Sequence, residues 1–351
     1  MSFPNDTYRL RLAMPQDSGA IGAVLESGSY PGKVQVRYTR RPDAYRSLAM
    51  EGERLVMPVA ELTETGQIIG TGGCILRGAY VNGELVETGY LTGLKLLEEH
   101  RKKMRFIKEA YGMIHEQTRE SCRLYTTTIL SGNSAVAKML EKPRKGMPTY
   151  RFHGTYTVFC AGTRQSARFP GGLHIERNPQ GLAAFYGEHL PAYNLAPSFG
   201  SLNGLSEEDF LTLRDSRGDI LAACALWDQR DWKQYTVTRY EGTYALLPRL
   251  PLHSLGYPRA PKEGVSANYV SLALTLVRPD SIRHAEGFLR AAAGMAKGYD
   301  FVMMGFHQGH PLHPVAAKLP HIRYESRLYT VEYPDCLELD GRPVMLEVGM
   351  L

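Results

Sequence analysis

The strongest constraint on the fold of this chain is an internal repeat. Each half of its 351 residues contains two short apolar runs separated by a polar, glycine-containing turn, at 64–67 and at 215–219. Such a pattern predicts a β-hairpin. The matching second strands begin at Ile68 and Ile220, 152 residues apart. A chain of this length holds about two domains, and the repeat indicates that both are copies of one unit.

Each hairpin is followed by the same order of elements: a strand, a helix and a further strand. Met104, Ile107 and Tyr111 recur at helical spacing in the first copy. The order predicts an α+β fold of two units, 1–165 and 166–351, each a mixed, mostly antiparallel sheet flanked by helices. The matching segments are 90–96 and 269–276, then 98–120 and 281–297, then 124–130 and 301–306.

Three local patterns complete the expected structure. Asn82-Gly83 is a favoured pair for a type I′ hairpin turn. Residues 37–51 form a basic segment that we expect to be helical. The second copy carries extra residues at 229–265, rich in proline, which we expect to form a long loop or a surface excursion.

Composition and hydropathy restrict the compartment. No run approaches the roughly 20 apolar residues of a membrane-spanning helix, and mean hydropathy is −0.28, so no membrane partner is expected. Residues 1–11 lack the apolar core of a signal peptide, which predicts a cytoplasmic protein. The five cysteines are odd in number and form no C-x-x-C pair. Neither a disulfide framework nor a cysteine zinc site is therefore expected.

The net charge of +5 is unevenly distributed. Residues 1–165 contain 23 Lys and Arg against 16 Asp and Glu, or +7, whereas residues 166–351 contain 18 against 20, or −2. Excess positive charge attracts phosphate-rich ligands. Nucleic acid is the less favoured of these, because basic residues alternate with aromatic ones only at 37–46.

Four segments of the first half resemble, in the right order, the GNAT superfamily of N-acetyltransferases. The match spans about residues 8–160, and the second half resembles a diverged copy, so the chain is similar to a tandem GNAT protein. The resemblance implies acetyl-CoA or CoA as cosubstrate in the first half, and a small-molecule or peptide amine as acceptor. The segments are Tyr8-Arg-Leu-Arg-Leu-Ala-Met-Pro-Gln-Asp17, Ile69-Gly-Thr-Gly-Gly73, Tyr90-Leu-Thr-Gly-Leu-Lys-Leu-Leu-Glu-Glu-His-Arg101 and Ile129-Leu-Ser-Gly-Asn-Ser-Ala-Val136.

The same resemblance places the cofactor. In the family a splayed fourth strand pairs with the pantetheine arm, which here implies Leu94, Lys95 and Leu96. A following loop holds the pyrophosphate at a helix N-terminus, where free N–H groups and the helix dipole favour anions. Met104 and Phe106 stand where the family has glycines, and the four cations of this segment could compensate electrostatically for the lost close approach of the phosphate. The alternative is that the segment is a solvated basic helix face. The loop residues are Arg101, Lys102, Lys103, Met104, Arg105 and Phe106.

The sequence matches the family's catalytic positions only in part. Asn133 matches the family's Asn before a small-residue helix, but Leu140 stands where a Tyr often protonates the leaving thiolate. Tyr125 could substitute geometrically, as could Tyr111 or Tyr150. For the base, Tyr90 lies near where some members place a strand carboxylate, and Glu87 lies close to that strand.

Other kinds of site are weaker. His307, His310 and His313 could bind a metal, but Gly309 and two prolines break the helix that would align them. No metal is therefore expected. The chain has no Gly-x-Ser-x-Gly motif and no P-loop motif. The second half lacks a phosphate loop, and we expect it not to bind CoA.

The leading hypothesis is an acetyl-CoA-dependent N-acetyltransferase that acts on a primary amine by direct transfer. The first alternative is a catalytically silent GNAT-like protein that binds CoA, another ligand or a partner. The second is a transferase with another acyl or aminoacyl donor. The acceptor and the oligomeric state are left open by the sequence.

Overall fold

The computed structural model describes residues 8–28, 33–100, 104–334 and 336–351. No helix in these ranges combines the length and apolar character needed to cross a membrane. The first half contains β1 (Tyr8–Leu12), α1 (Ser18–Glu26), β2 (Val34–Thr39), α2 (Ala44–Ala49), β3 (Arg54–Val56), β4 (Pro58–Leu62), β5 (Ile68–Val81), β6 (Glu84–Leu96), α3 (Met104–Thr118), β7 (Leu124–Leu130), α4 (Ser134–Glu141) and β8 (Thr149–Gly162).

The second half repeats this order with a longer middle. It contains β9 (His174–Glu176), α5 (Leu182–His189), β10 (Phe210–Arg214), β11 (Ile220–Trp227), β12 (Gln234–Tyr240), β13 (Tyr269–Val277), α6 (Ala285–Met295), β14 (Phe301–His307), α7 (His313–Ala316) and β15 (His321–Glu332).

One sheet joins the two halves because they exchange their last strands. Strand β15 of the second half pairs with β7 of the first, and β8 of the first half pairs with β14 of the second. Between them, β15 and β8 pair antiparallel along twelve residue pairs. The resulting strand order is β1-β4-β5-β6-β7-β15-β8-β14-β13-β11-β10-β9, with β3 pairing on β5.

The predicted hairpins are confirmed. Strands β4 and β5 pair antiparallel, as do β10 and β11. Asn82 and Gly83 both have positive φ, 55° and 90°, as a type I′ turn requires. The helix predicted over 98–120 begins only at Met104 after a 3-10 turn at Glu98–His100.

Two local predictions are wrong or incomplete. The segment 37–51 is not one helix, because Val34–Thr39 is strand β2 and only Ala44–Ala49 is helical. The expected loop at 229–265 contains β12, which pairs antiparallel with β2 across 195 residues of sequence at Gln234 and Thr39. Each strand supplies hydrogen-bond partners for the backbone N–H and C=O groups of the other, and a single strand could not supply them for itself.

A buried ion cluster connects this two-stranded sheet to the rest of the molecule. The Glu51 side chain is fully buried, and its Oε1 accepts hydrogen bonds from Arg40 Nη2 and Lys233 Nζ, both at 2.8 Å. Burial lowers the pKa of Lys233 to about 8, against the opposing effect of Glu51. Burial also opposes ionisation of Glu51, but the two cations hold its pKa below the usual range.

Removal of the Glu51 charge should destabilise the fold. The variant Glu51→Gln leaves Arg40 and Lys233 buried beside each other without a counter-charge, which typically costs about 3–5 kcal/mol. Urea unfolding followed by circular dichroism measures this change. The matched control is Glu64→Gln on the exposed β4–β5 turn. A loss no larger than that of the control would show that the cluster does not hold the sheets together.

Candidate functional site

The first candidate site is a V-shaped gap between two parallel strands, which we call the first splay. Strands β6 and β7 pair only from Thr88 and Leu124 to Tyr90 and Thr126. Beyond this last pair, which is the apex of the gap, β6 continues to Leu96 and β7 to Leu130, and the two strands no longer pair with each other.

A β-bulge in β6 lies within the first splay. The register with β5 passes from Gly73↔Thr92 to Thr71↔Lys95, so Gly93 and Leu94 together face Gly72. Gly93 has φ +65°, a conformation that favours glycine. A bulge re-aims backbone groups, and an isolated glycine inside a strand is the sequence signal for one.

The backbone of the splayed segment is available to a ligand. Leu97 N–H donates to Ile69 O of β5, and antiparallel pairing alternates, so the N–H and C=O of Leu96 point into the gap. Beyond Tyr90 no described strand pairs with β6 on that side, although Thr127 Oγ1 of β7 donates to Leu91 O at 2.7 Å. Thr92–Lys95 are half-buried. Unpaired strand groups in a gap of this kind can bind an extended amide chain.

The apex carries two hydroxyl groups. Tyr90 Oη lies 2.7 Å from Thr128 Oγ1, so that the two side chains bridge the strands where they separate. Burial raises the pKa of Tyr90 to about 12, although the Arg77 guanidinium 5.1 Å from the ring centre acts against this. The Tyr90 hydroxyl therefore keeps its proton near neutral pH. Thr128 was not identified from the sequence, because a β-branched strand residue carries no catalytic signal.

The other two candidate catalytic residues lie away from these hydroxyls. Glu87 lies three residues before Tyr90, about 10 Å along the strand, where it is ion-paired with Arg54 and accepts a hydrogen bond from Ser121. Tyr125 is buried, its hydroxyl lies 2.6 Å from Thr118 Oγ1 of α3, and burial raises its pKa.

The predicted cofactor residues of β6 divide between the two faces of the sheet. Leu94 and Leu96 pack into the core beneath α3. Lys95 lies on the other face, where its Nζ donates to Leu25 O at the end of α1. The backbone, rather than these side chains, faces the gap.

The predicted phosphate residues can be placed only in part. Arg101, Lys102 and Lys103 lie outside the described residues, and Met104 is the first residue of α3. Phe106 is fully buried and packs edge-on against Tyr8 at 6.4 Å. Its side chain therefore points into the core and does not project from the helix N-terminus.

The remaining predicted cofactor residues lie near helix starts. Arg105 forms an exposed ion pair with Glu109, one turn along α3. Asn133 precedes α4, and its side chain makes no capping hydrogen bond. Leu140 is buried within the core of the first unit.

A second splay lies at the matching place in the second half. Strands β13 and β14 pair only from Tyr269 and Phe301 to Ser271 and Met303. The bulge recurs as well, because Leu274 and Thr275 face the single residue Cys224. Leu274 has φ +48°, although a side chain disfavours this region. The two bulges are therefore equivalent by the repeat, and Gly93 corresponds to Leu274.

The second splay is filled by residues 343–351, which we call the strap. Glu347 Oε1 accepts the N–H of Leu274 at 3.0 Å, and Tyr186 Oη donates to Leu274 O at 2.7 Å. The remaining void beside Thr275 and Glu347 is about 10 Å³, the space of a single water.

Accessibility therefore differs between the two gaps. Residues 272–277 of the second are all buried, whereas Thr92–Lys95 of the first are half-buried. The strap is anchored beyond the gap by Lys233, Arg77 and Gln229, which donate to the backbone oxygens of its last three residues.

The three candidate metal-binding histidines have separate partners. His307 Nε2 lies 2.8 Å from His153 O, and His313 Nε2 lies 3.2 Å from Thr157 Oγ1. His310 stacks on Tyr193, and burial lowers its pKa to about 3. Within the described ranges, no group of three or more His, Cys, Asp or Glu side chains is placed to hold a metal ion.

Comparison with solved structures identifies this architecture. A GCN5-related N-acetyltransferase from Sphaerobacter thermophilus covers 95% of this chain and 98% of its own, at TM-score 0.57 and 13% identity. Saccharomyces cerevisiae N-myristoyltransferase with bound myristoyl-CoA covers 97% and 90%, at TM-score 0.59 and 9% identity. The chain has the GNAT fold. No protein-family model and no curated protein sequence matches it.

The GNAT resemblance inferred from the sequence is thus confirmed at the level of fold. A probable N-acyltransferase from Enterococcus faecalis V583 is also similar, at TM-score 0.51 and 7% identity, and covers 92% of this chain and 72% of its own. The GNAT fold explains the order of strands, the parallel pair and its splay. It does not by itself assign a donor or an acceptor to this chain.

The strap carboxylate should make stability depend on pH. Burial raises the pKa of Glu347 from 4.5 to about 7, so the folded state holds a proton that the unfolded chain releases. The stabilisation of the folded state by this bound proton is complete below about pH 4.5 and is lost as pH rises through 7. It amounts to at most about 3 kcal/mol in the free energy of unfolding. Glu347→Gln keeps an oxygen for Leu274 N–H but does not ionise.

The difference in melting temperature, Glu347→Gln minus the unmodified protein, should therefore be more positive at pH 8 than at pH 5. The matched control is Glu84→Gln, at the exposed start of β6. An identical pH dependence for the two variants would contradict the buried, proton-binding state of Glu347.

Proposed function

We propose that this protein is an acyl-CoA-dependent N-acyltransferase that uses acetyl-CoA and binds it in the first half, 1–165. One observation carries the proposal: in the first splay no described strand pairs with β6 on the side of β7 beyond Tyr90 and residues 92–95 are half-buried, whereas the strap fills the second splay. The neighbouring folds support a CoA thioester as donor, since one of them holds myristoyl-CoA. The acceptor is a primary amine on a small molecule or a peptide.

The bulge in β6 supports a role in polarising the thioester. In the second unit the equivalent N–H, of Leu274, donates to a carboxylate oxygen at 3.0 Å. By the repeat, the N–H of Gly93 donates to the acyl oxygen of the donor. A fixed N–H aimed at the oxygen that gains charge is a strong form of transition-state stabilisation.

The reaction is direct transfer. The neutral amine attacks the thioester carbon, the C–N bond forms, the C–S bond breaks, and the CoA thiolate takes up a proton. Tyr90, which is protonated near neutral pH, supplies that proton, and water returns one to it through the Thr128 hydroxyl 2.7 Å away. The nitrogen of the tetrahedral intermediate loses its extra proton to water, which leaves a neutral amide as the product.

The placement of the phosphates rests on the basic sequence around Arg101 and on the helix that starts at Met104. The double variant Arg101→Glu/Lys103→Glu should weaken binding of acetyl-CoA roughly tenfold or more, since two attractive charges become repulsive. Isothermal titration calorimetry with acetyl-CoA and CoA measures it.

The matched control is Arg119→Glu/Arg123→Glu, two exposed arginines at the other end of α3. Equal losses in both double variants would show that only general electrostatic attraction is involved. No heat of binding at millimolar acetyl-CoA in the unmodified protein would overturn the donor itself.

The hydroxyl pair predicts a second result. Thr128→Val keeps the side-chain shape but removes the partner of Tyr90, and Tyr90→Phe removes the donor. Each should lower kcat about 10²-fold, a typical effect of lost proton transfer, with acetyl-CoA affinity unchanged. Thr128→Ser keeps a hydroxyl and should retain most activity. Release of CoA thiol across an amine panel is the measurement, and equal activity of the Val and Ser variants would exclude the relay.

One observation favours a different function, that of a catalytically silent CoA-binding protein. Leu140 is buried in the core at the place where the family often has its acidic Tyr. Binding of acetyl-CoA without release of thiol for any amine in the panel would support this function. Binding of longer acyl-CoA in preference to acetyl-CoA would instead indicate another donor.

A further inference from the structure

The insertion of the second half, 229–265, carries five of the large apolar side chains that the described residues expose. Leu246, Leu250, Leu255 and Val265 are between 46% and 67% exposed, and Tyr257 is 38% exposed. They lie on two 3-10 turns, Gly242–Arg249 and Leu252–Leu255, and on the chain that follows. Clustered exposed apolar side chains usually mark a binding surface.

The second of these turns is held firmly against the sheet. Gly162 at the end of β8 donates its N–H to Gly256 O at 3.1 Å, and a Cβ on Gly162 would lie only 2.3 Å from Tyr257 O. Tyr257 N–H in turn donates to Leu252 O. The exposed side chains at this end are therefore carried on a fixed backbone.

A basic cleft lies directly beside them. It has a volume of about 250 Å³ and is lined by Arg164, Arg259, His253, Tyr257 and Asp300, among others. Arg259 reaches Asp300 only at 3.7 Å and is 59% exposed. Arg164 is exposed, and no described carboxylate lies within 4 Å of it. The cleft is thus suited to an anionic, phosphate-bearing group.

The charges around the apolar side chains are also mostly positive. Arg249 and Lys262 are exposed and add to Arg164 and Arg259. Against these four stand Asp300, Glu263 and Glu241; Glu263 already accepts the N–H of Tyr240, and Glu241 accepts Gln35 Nε2. A dimer with two-fold symmetry would bring these like charges together, whereas an anionic lipid surface complements them.

We propose that this surface docks on the surface of an anionic lipid bilayer. The leucines insert among the headgroups, and the cleft takes a lipid phosphate. Peripheral docking of this kind needs no membrane-spanning segment, but it does revise the expectation that the chain has no membrane partner. The cleft adjoins Asp300, at the end of β14 opposite to the second splay.

Co-sedimentation with vesicles tests the proposal. The full chain should bind vesicles of phosphatidylcholine mixed with phosphatidylserine at least roughly tenfold more tightly than vesicles of phosphatidylcholine alone, and added salt should weaken binding. Leu255→Glu and Arg164→Glu should each lower binding to the mixed vesicles about tenfold.

The matched controls are Leu85→Glu and Arg119→Glu, exposed residues of the first half, which should bind as the unmodified chain does. Equal losses in the controls would overturn the location. Absence of vesicle binding, with glycerol phosphate or inorganic phosphate bound in calorimetry, would show a site for a free phosphate. A concentration-dependent dimer abolished by Leu255→Glu would assign the surface to a second copy and also overturn the proposal.

Discussion

The exchange of the last strands constrains the whole molecule. Because β15 lies between β7 and β8, neither half can complete its own sheet without a strand of the other. The twelve pairs between β8 and β15 bring the two units to a fixed spacing. Strand β7 is thereby held on one side by β15, which leaves β6 free to diverge from it on the other. The first splay thus depends on a strand that comes almost 200 residues later in the chain.

The strap makes the two units different although their backbones match. Both contain the bulge, and in the second the strained φ of Leu274 costs of order 1–2 kcal/mol. Glu347 and Tyr186 offset this by bonding the N–H and C=O that the bulge turns outward. The end of the strap is held in turn by Arg77 and by Lys233 of the Glu51 ion cluster, which donate to its backbone oxygens.

Local features of the fold could be predicted from the sequence, and non-local ones could not. The hairpins and the Asn82-Gly83 turn depend on residues close together in the sequence, and both are confirmed. The pairing of β2 with β12 depends on a partner that is far away in sequence, and 37–51 alone looks helical because its tertiary partner is invisible there. The exchange of strands is missed for the same reason.

The candidate site shows the same division. The splayed strand was identified from a motif, since Tyr90-Leu-Thr-Gly-Leu keeps its order along one segment. The pairing of Tyr90 with Thr128 requires two strands to be in register, and the role of Glu347 requires a fold that returns the strap to the sheet. In the second unit, the Glu347 carboxylate accepts the N–H of the bulge residue Leu274. No described side chain of the first unit is bonded to the equivalent N–H of Gly93. Under the proposed function, the donor's acyl oxygen supplies the missing acceptor at Gly93, so that one unit is stabilised by its own chain and the other by its substrate.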